Sequence, residues 1–153
     1  MFLERYEYTK SKIFGQFYFY SDGPKGRIQK IVRYRHFGRF NGFHYFNVGF
    51  GDIDPKSGKV NDLIVTDNKD REKVLATIAA TAMEFTHTTR KCRLIVRGST
   101  PARTRLYQMK IAAYHPEISI LFDIQGYSGA RWERFKTGKN YLSFQFERIN
   151  FKS

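Results

Sequence analysis

A chain of 153 residues is long enough for one domain that buries its own core without staples, and its one cysteine, Cys92, excludes an internal disulfide and fits a reducing compartment. The uncharged run Val74 to Met83 is too short and threonine-rich to span a bilayer, and Glu4 and Arg5 stand where a signal peptide needs apolar residues, so a soluble cytoplasmic protein is expected. Lys and Arg number 27 against 14 Asp and Glu, a net charge of +13 that exceeds what solubility asks and points to a polyanionic partner.

Residues 1–14 mix Phe, Tyr, Lys and Glu and fit an edge strand or a loosely held lead-in. The aromatic run Phe17-Tyr18-Phe19-Tyr20 marks a strand from Gly15 to Tyr20, closed by a turn from Ser21 to Gly26. A second strand spans Ile28 to Phe37, and Asn41-Gly42 supplies a hairpin turn. The third strand, Phe43 to Phe50, puts His44, Phe46, Val48 and Phe50 on one face and completes a meander. Residues 25–39 hold Lys25, Arg27, Lys30, Arg33, Arg35 and Arg39 and no acid. Neither face of the second strand is cleanly apolar. It reads as an edge strand kept soluble by charge, or as a strand whose basic face binds, the first being favoured.

The aspartates Asp52, Asp54 and Asp62 fall near a turn but do not keep the spacing of a calcium loop, so a solvated turn is expected there. Leu63-Ile64-Val65 reads as a brief strand. Asn68 or Asp67 then caps a helix from about Lys69 to Thr88 whose apolar face is Val74, Leu75, Ile78, Ala82 and Phe85. A strand follows from Cys92 to Arg97, with Cys92 as a small core hydrophobe rather than a reactive thiol. The next helix runs from Pro101 to about Tyr114 and is stopped by His115-Pro116. A short turn over Ile118 to Phe122, a strand through Gly126, a turn over Thr137-Gly138-Lys139-Asn140 and a strand from Tyr141 to Ile149 close the chain. In that last strand Leu142, Phe144 and Phe146 share one face. The expected fold is one α+β domain over residues 1–153: an antiparallel or mixed sheet of five to seven strands, an N-terminal meander and two helices packed on it.

The stretch from Gly98 to Tyr107 carries the most chemistry. Ser99 or Thr100 is a good N-cap and Pro101 suits the first turn, so a helix opens where a strand ends and its N–H groups favour an anion. Arg103 and Arg105 lie in that first turn or two, where cations oppose the dipole by ~0.3–1 kcal/mol each. At ~100° per residue, Ala102, Leu106, Met109 and Ala113 form an apolar stripe expected to pack on the sheet. Arg103, Tyr107, Lys110 and Tyr114 form an adjacent strip of cations and phenols suited to phosphates with bases or sugars beside them.

The run GSTPARTRLYQ, with Phe135-Lys136-Thr137-Gly138-Lys139-Asn140-Tyr141, resembles a family of small bacterial proteins that are themselves uncharacterised. The resemblance covers the chain from about Asp70 onward and brings no catalytic residues with it. It carries a loose association with toxin–antitoxin gene pairs.

Several chemistries are excluded. Lys136-Thr137-Gly138-Lys139 lacks the upstream glycine and following Ser or Thr of a P-loop, and no serine-hydrolase elbow surrounds Ser99. The histidines His36, His44, His87 and His115 do not keep zinc-ligand spacing, so neither metal nor cofactor is expected. Metal-independent RNA cleavage needs only a base, an acid and a cation for the phosphorane charge, which scattered side chains can supply. Arg103 would hold the phosphate, and Tyr107, His36, His44 and Glu133 are candidates for donor or base. The expected function is therefore nucleic-acid binding, RNA before DNA, extending to a toxin-like ribonuclease. The expected contacts are Ser99, Thr100, Arg103, Arg105, Tyr107, Lys110, Arg33 and Arg35. Two alternatives stay open: a module for a phosphorylated small molecule or nucleotide, and a non-enzymatic protein docking an acidic partner such as an antitoxin. No membrane partner is expected.

Overall fold

A computed structural model of the protein describes residues 4–61 and 67–149. Its elements run β1 (Tyr8–Lys10), β2 (Gln16–Gly23), β3 (Gly26–Phe40), β4 (Phe43–Ile53), β5 (Val60–Asn61), α1 (Arg71–Thr88), β6 (Cys92–Val96), α2 (Pro101–Ala113), α3 (His115–Leu121), β7 (Phe122–Tyr127), β8 (Trp132–Arg134) and β9 (Ser143–Arg148). The fold is α+β. Hydrogen bonds link the strands in the order β1-β2-β3-β4-β6-β9-β7-β8, with β5 on β4. The sheet is mixed because β4 and β6 run parallel while β1–β2, β2–β3, β6–β9, β7–β9 and β7–β8 run antiparallel. The expectation of five to seven strands and two helices thus differs from the observed fold in count. The brief strand expected at Leu63-Ile64-Val65 lies outside the described residues.

The chain forms two compact units: the described residues up to Arg35 with those between Gly49 and Arg90, and the described residues from His36 to Val48 with those from Lys91 onward. Strands β3 and β4 contribute to both.

In the first unit, one face of β2 and β3 presents Phe17, Phe19, Val32 and Tyr34, all at most 3% exposed. Helix α1 meets this unit's core through Val74, Thr77, Thr81 and Phe85. Two threonines therefore stand in the stripe that Leu75, Ile78 and Ala82, each half-buried, were expected to fill. They are admitted because their hydroxyls are used. Thr81 Oγ1 shares a hydrogen bond with Tyr34 Oη at 2.8 Å, and Thr77 Oγ1 accepts from Tyr6 N at 2.9 Å. The Tyr34 ring stacks on Phe85 with centroids 4.4 Å apart.

The cap of α1 also differs from expectation. Asp70 occupies the N-cap position without a side-chain capping bond. Its carboxylate instead accepts from Tyr6 Oη and Ser21 Oγ. Asn68, 1% exposed, holds the β2–β3 turn: its Nδ2 donates to Ser21 Oγ and Gly26 O, and its Oδ1 accepts from Lys25 N.

Strand β3 is paired on both sides, which corrects the edge reading. Its charge is handled otherwise: Lys30 is 1% exposed, and its Nζ lies 2.5 Å from Asp52 Oδ1. Asp54 Oδ1 accepts from Lys56 N and Ser57 N in the solvated turn expected there, whereas Asp52, expected in the same turn, lies buried in β4.

In the second unit, Asn41 and Gly42 take φ of 52° and 82°, the positive pair that a two-residue hairpin turn needs, and they join β3 to β4. Phe46, Leu94, Ile124 and Phe144, each 6% exposed or less, form this unit's core with Ile111 of α2 and Ile118 of α3. Strand β9 starts at Ser143 rather than Tyr141, so Leu142 is 56% exposed instead of sharing the buried face of Phe144. Tyr141 is buried over Gly126, where a Cβ would come within 2.4 Å of the ring. Burial, and secondarily Glu147, push the Cys92 thiol up to about 11, so it remains protonated at neutral pH. Among the described residues no helix is long and apolar enough to cross a membrane.

The Lys30–Asp52 pair gives a direct test of the first unit's packing. Asp52→Ala strips a buried ammonium of its carboxylate and is expected to cost about 3–5 kcal/mol in urea unfolding. Replacing both, Lys30→Met with Asp52→Leu, should recover most of that loss. Equal stability of the single variant and the parent would contradict the burial.

Candidate nucleic-acid interface

Helix α2 begins as its local sequence dictates. Thr100 is extended, with φ −135° and ψ 159°, and its Oγ1 accepts from Arg103 N at 3.2 Å, with Pro101 at the first helical position. The buried Gly98 lies beneath the first turn, its N–H donating to Thr104 Oγ1 at 3.0 Å. A Cβ on Gly98 would come within 2.4 Å of Thr104 N. The Arg103 guanidinium folds back and donates from Nη1 to Ser99 Oγ at 2.7 Å. Arg105 is exposed, and the first turn holds no acid. Ser99, Thr100, Arg103 and Arg105 are thus gathered at one helix start.

The face of α2 that packs inward is not the expected one. Thr104 and Ile111 are its buried residues, whereas Ala102, Met109 and Ala113 are exposed and Leu106 is half-buried. The stripe of alanine, leucine and methionine faces solvent, roughly half a turn from the buried side. Polar groups at α2 find partners: Thr104 accepts from Gly98, and Gln108 donates to Lys139 O at 2.6 Å and accepts from Tyr141 N at 2.9 Å. Arg103, Tyr107, Lys110 and Tyr114 lie along the border, each half-buried.

Of the remaining candidates, Arg33 and Arg35 belong to the first unit, where Arg33 is half-buried opposite Gln16 and Arg35 is exposed. In the second unit His36 and His44 come together across the β3–β4 hairpin, Nε2 to Nδ1 at 3.0 Å, with the His36 ring 5.2 Å from Phe46. Glu133 accepts from Lys139 Nζ at 2.8 Å and from Tyr141 Oη at 2.9 Å. Those two hydrogen bonds lower its carboxyl below the usual range and make it a weak base.

One feature of the second unit was not anticipated. Tyr45 pairs with Arg93, Ile95 with Gln145, Gln145 with Gln125, and Gln125 with Arg134, so these side chains share one sheet face. On it lies an open groove of about 360 Å³, lined by Phe37, Phe40, Tyr45, Arg93, Trp132 and Gln145, among others. Arg93 is fixed there: Nε donates to Glu147 Oε1 and Nη1 to Tyr45 Oη, both at 2.7 Å, and its Cζ stands 3.9 Å from the Phe43 ring centroid. Burial works against its charge, but those two hydrogen bonds outweigh it and the guanidinium is held more firmly protonated.

The match to a family model extends over residues 3–149, nearly the whole chain: it is the family of unknown function DUF6934. The chain belongs to that family. No curated protein and no solved structure matches it. The DUF6934 match takes in the N-terminal meander as well as the region from Asp70 onward. Within this DUF6934 chain, Gly98→Ala is expected to destabilise by about 1–3 kcal/mol, because a methyl group there overlaps backbone of the first turn of α2. Thermal unfolding by circular dichroism measures it. An unchanged midpoint would mean the turn is not packed on residue 98.

Proposed function

We propose that the protein binds nucleic acid, RNA in preference to DNA, and takes backbone phosphates at the start of α2. One observation carries the reading: Arg103, held by Ser99 beside a capped helix terminus, stands with Arg105 in a region without a first-turn acid. Cations there oppose the helix dipole, and a bound phosphate would relieve the conflict by meeting both the guanidinium groups and the amino end of the helix. The net charge of +13 supplies long-range attraction for a polymer of phosphates.

The His36–His44 pair favours extending this to metal-independent cleavage. With Glu133 engaged by Lys139 and Tyr141, these imidazoles are the better-suited candidates. One ring would take the 2′-hydroxyl proton as that oxygen attacks phosphorus. The other would give a proton to the departing 5′-oxygen. Such a toxin-like activity is the finer form of the proposal, and an acidic antitoxin is the partner it would imply.

The test is incubation of labelled single-stranded RNA and DNA with the protein, with and without magnesium, followed by a salt titration of affinity. Many phosphate contacts give a steep fall with salt, with a slope of about −0.7 per phosphate on single strands, whereas one anion site gives a shallow one. Arg103→Ala should weaken RNA about tenfold, the ~1.5 kcal/mol of a charge-assisted hydrogen bond, and Lys56→Ala should not. Equal effects of the two would mean that charge acts diffusely. Retention of a nucleotide but no polymer would favour the small-molecule alternative.

A further inference from the structure

We infer that the groove on the open sheet face of the second unit is a seat for an unpaired base of single-stranded RNA. The inference rests on the nucleic-acid reading above and adds a second, base-directed surface to it.

The decisive group is Gln145. Its residue surface is only 7% exposed, yet its amide atoms are not sealed from solvent: they line the open groove, with no side-chain hydrogen bond among the described residues. An amide so placed offers a ligand both a donor and an acceptor. Around it stand large aromatic surfaces that the fold does not cover: Phe37 is 49% exposed, Phe40 56% and Trp132 39%. These rings are braced rather than loose. Phe37 and Phe40 contact Tyr45 with centroids 5.9 Å and 5.4 Å apart, and Trp132 contacts Tyr127 at 5.3 Å. Flat apolar rings beside an accessible amide match a nucleobase, which stacks through its faces and hydrogen-bonds through its edge. At about 360 Å³ the groove falls in the size range of small-ligand sites.

Charge at the rim agrees with a polyanion. Arg134 is the cross-strand partner of Gln125 and is exposed, and the exposed Arg39 lies between Phe37 and Phe40 in the chain. Two acids share the region: Glu147 is already paired with Arg93, and Asp123 is its exposed neighbour on β7. Among the charged groups lining the groove itself there is one, Arg93, and it is a cation. An apolar peptide would cover the Gln145 amide without offering it a hydrogen-bond partner. A duplex would hide its base edges from the groove, so the source is a single strand.

Trp132 is the chain's one tryptophan, so its emission reports directly on the groove. Full-length protein is titrated with a twelve-nucleotide single-stranded RNA, the same sequence as a duplex, and adenosine monophosphate, following Trp132 fluorescence and, separately, the anisotropy of end-labelled RNA. The single strand is expected to quench Trp132, with the duplex and the mononucleotide at least tenfold weaker. Gln145→Leu and Phe40→Ala should each weaken the single strand about fivefold or more. Phe40 is exposed, so its variant remains informative if Gln145→Leu fails to fold; circular dichroism melts establish folding. Anisotropy that reports tight RNA binding lost in Arg103→Ala, without quenching and without effect of Phe40→Ala, would overturn the groove proposal while leaving the phosphate site standing. Quenching as strong with adenosine monophosphate as with the strand would overturn the polymeric source. Absence of RNA binding by either readout would overturn both.

Discussion

Residues His44 to Val48 of β4 pair in parallel with Cys92 to Val96 of β6, and both candidate surfaces of the second unit depend on that register. A parallel pair requires a crossover, which the chain makes through α1. Because β6 ends at Val96, Gly98 falls where the chain turns into α2 and Arg103 folds back onto Ser99. The same register sets Tyr45 beside Arg93, and antiparallel β9 on the other side of β6 sets Gln145 beside Ile95. A slip by one residue would exchange the two faces, burying Arg93 in the core and exposing Leu94.

Polar side chains settle much of the packing. Thr77 and Thr81 occupy the inward stripe of α1, Thr104 that of α2, Asn68 the base of the β2–β3 turn and Lys30 the interior of β3. Each is admitted by a specific partner: Tyr6, Tyr34, Gly98, Ser21 and Asp52 in turn. Burial with a partner is affordable where burial without one is not. Gln145 differs in lining an open groove, where its amide stays accessible.

Features encoded within a few residues were legible in the sequence. Asn41-Gly42 specified its turn through positive φ, and Thr100-Pro101 specified the start of α2. The paired histidines were named as candidates, but their meeting at 3.0 Å depends on hairpin register. The core face of α2 was misread because a wheel scores Thr104 as polar and Met109 as apolar, while Thr104 bonds inward and Met109 is 61% exposed. The groove was invisible because its rings come from β3, β4 and β8, far apart in the chain. Phe37 ends a strand whose charge reads as edge protection and Phe40 falls in the expected hairpin turn, so neither marks the groove in the sequence.

The central claim is that a polyanion engages particular groups in the second unit rather than the protein's charge at large. Backbone amide chemical shifts, followed as single-stranded RNA is added at moderate salt, test it residue by residue. The account predicts that the largest changes fall on Ser99 to Arg105 and on the groove strands around Gln125 and Gln145. Small changes spread evenly over every exposed lysine and arginine would contradict it.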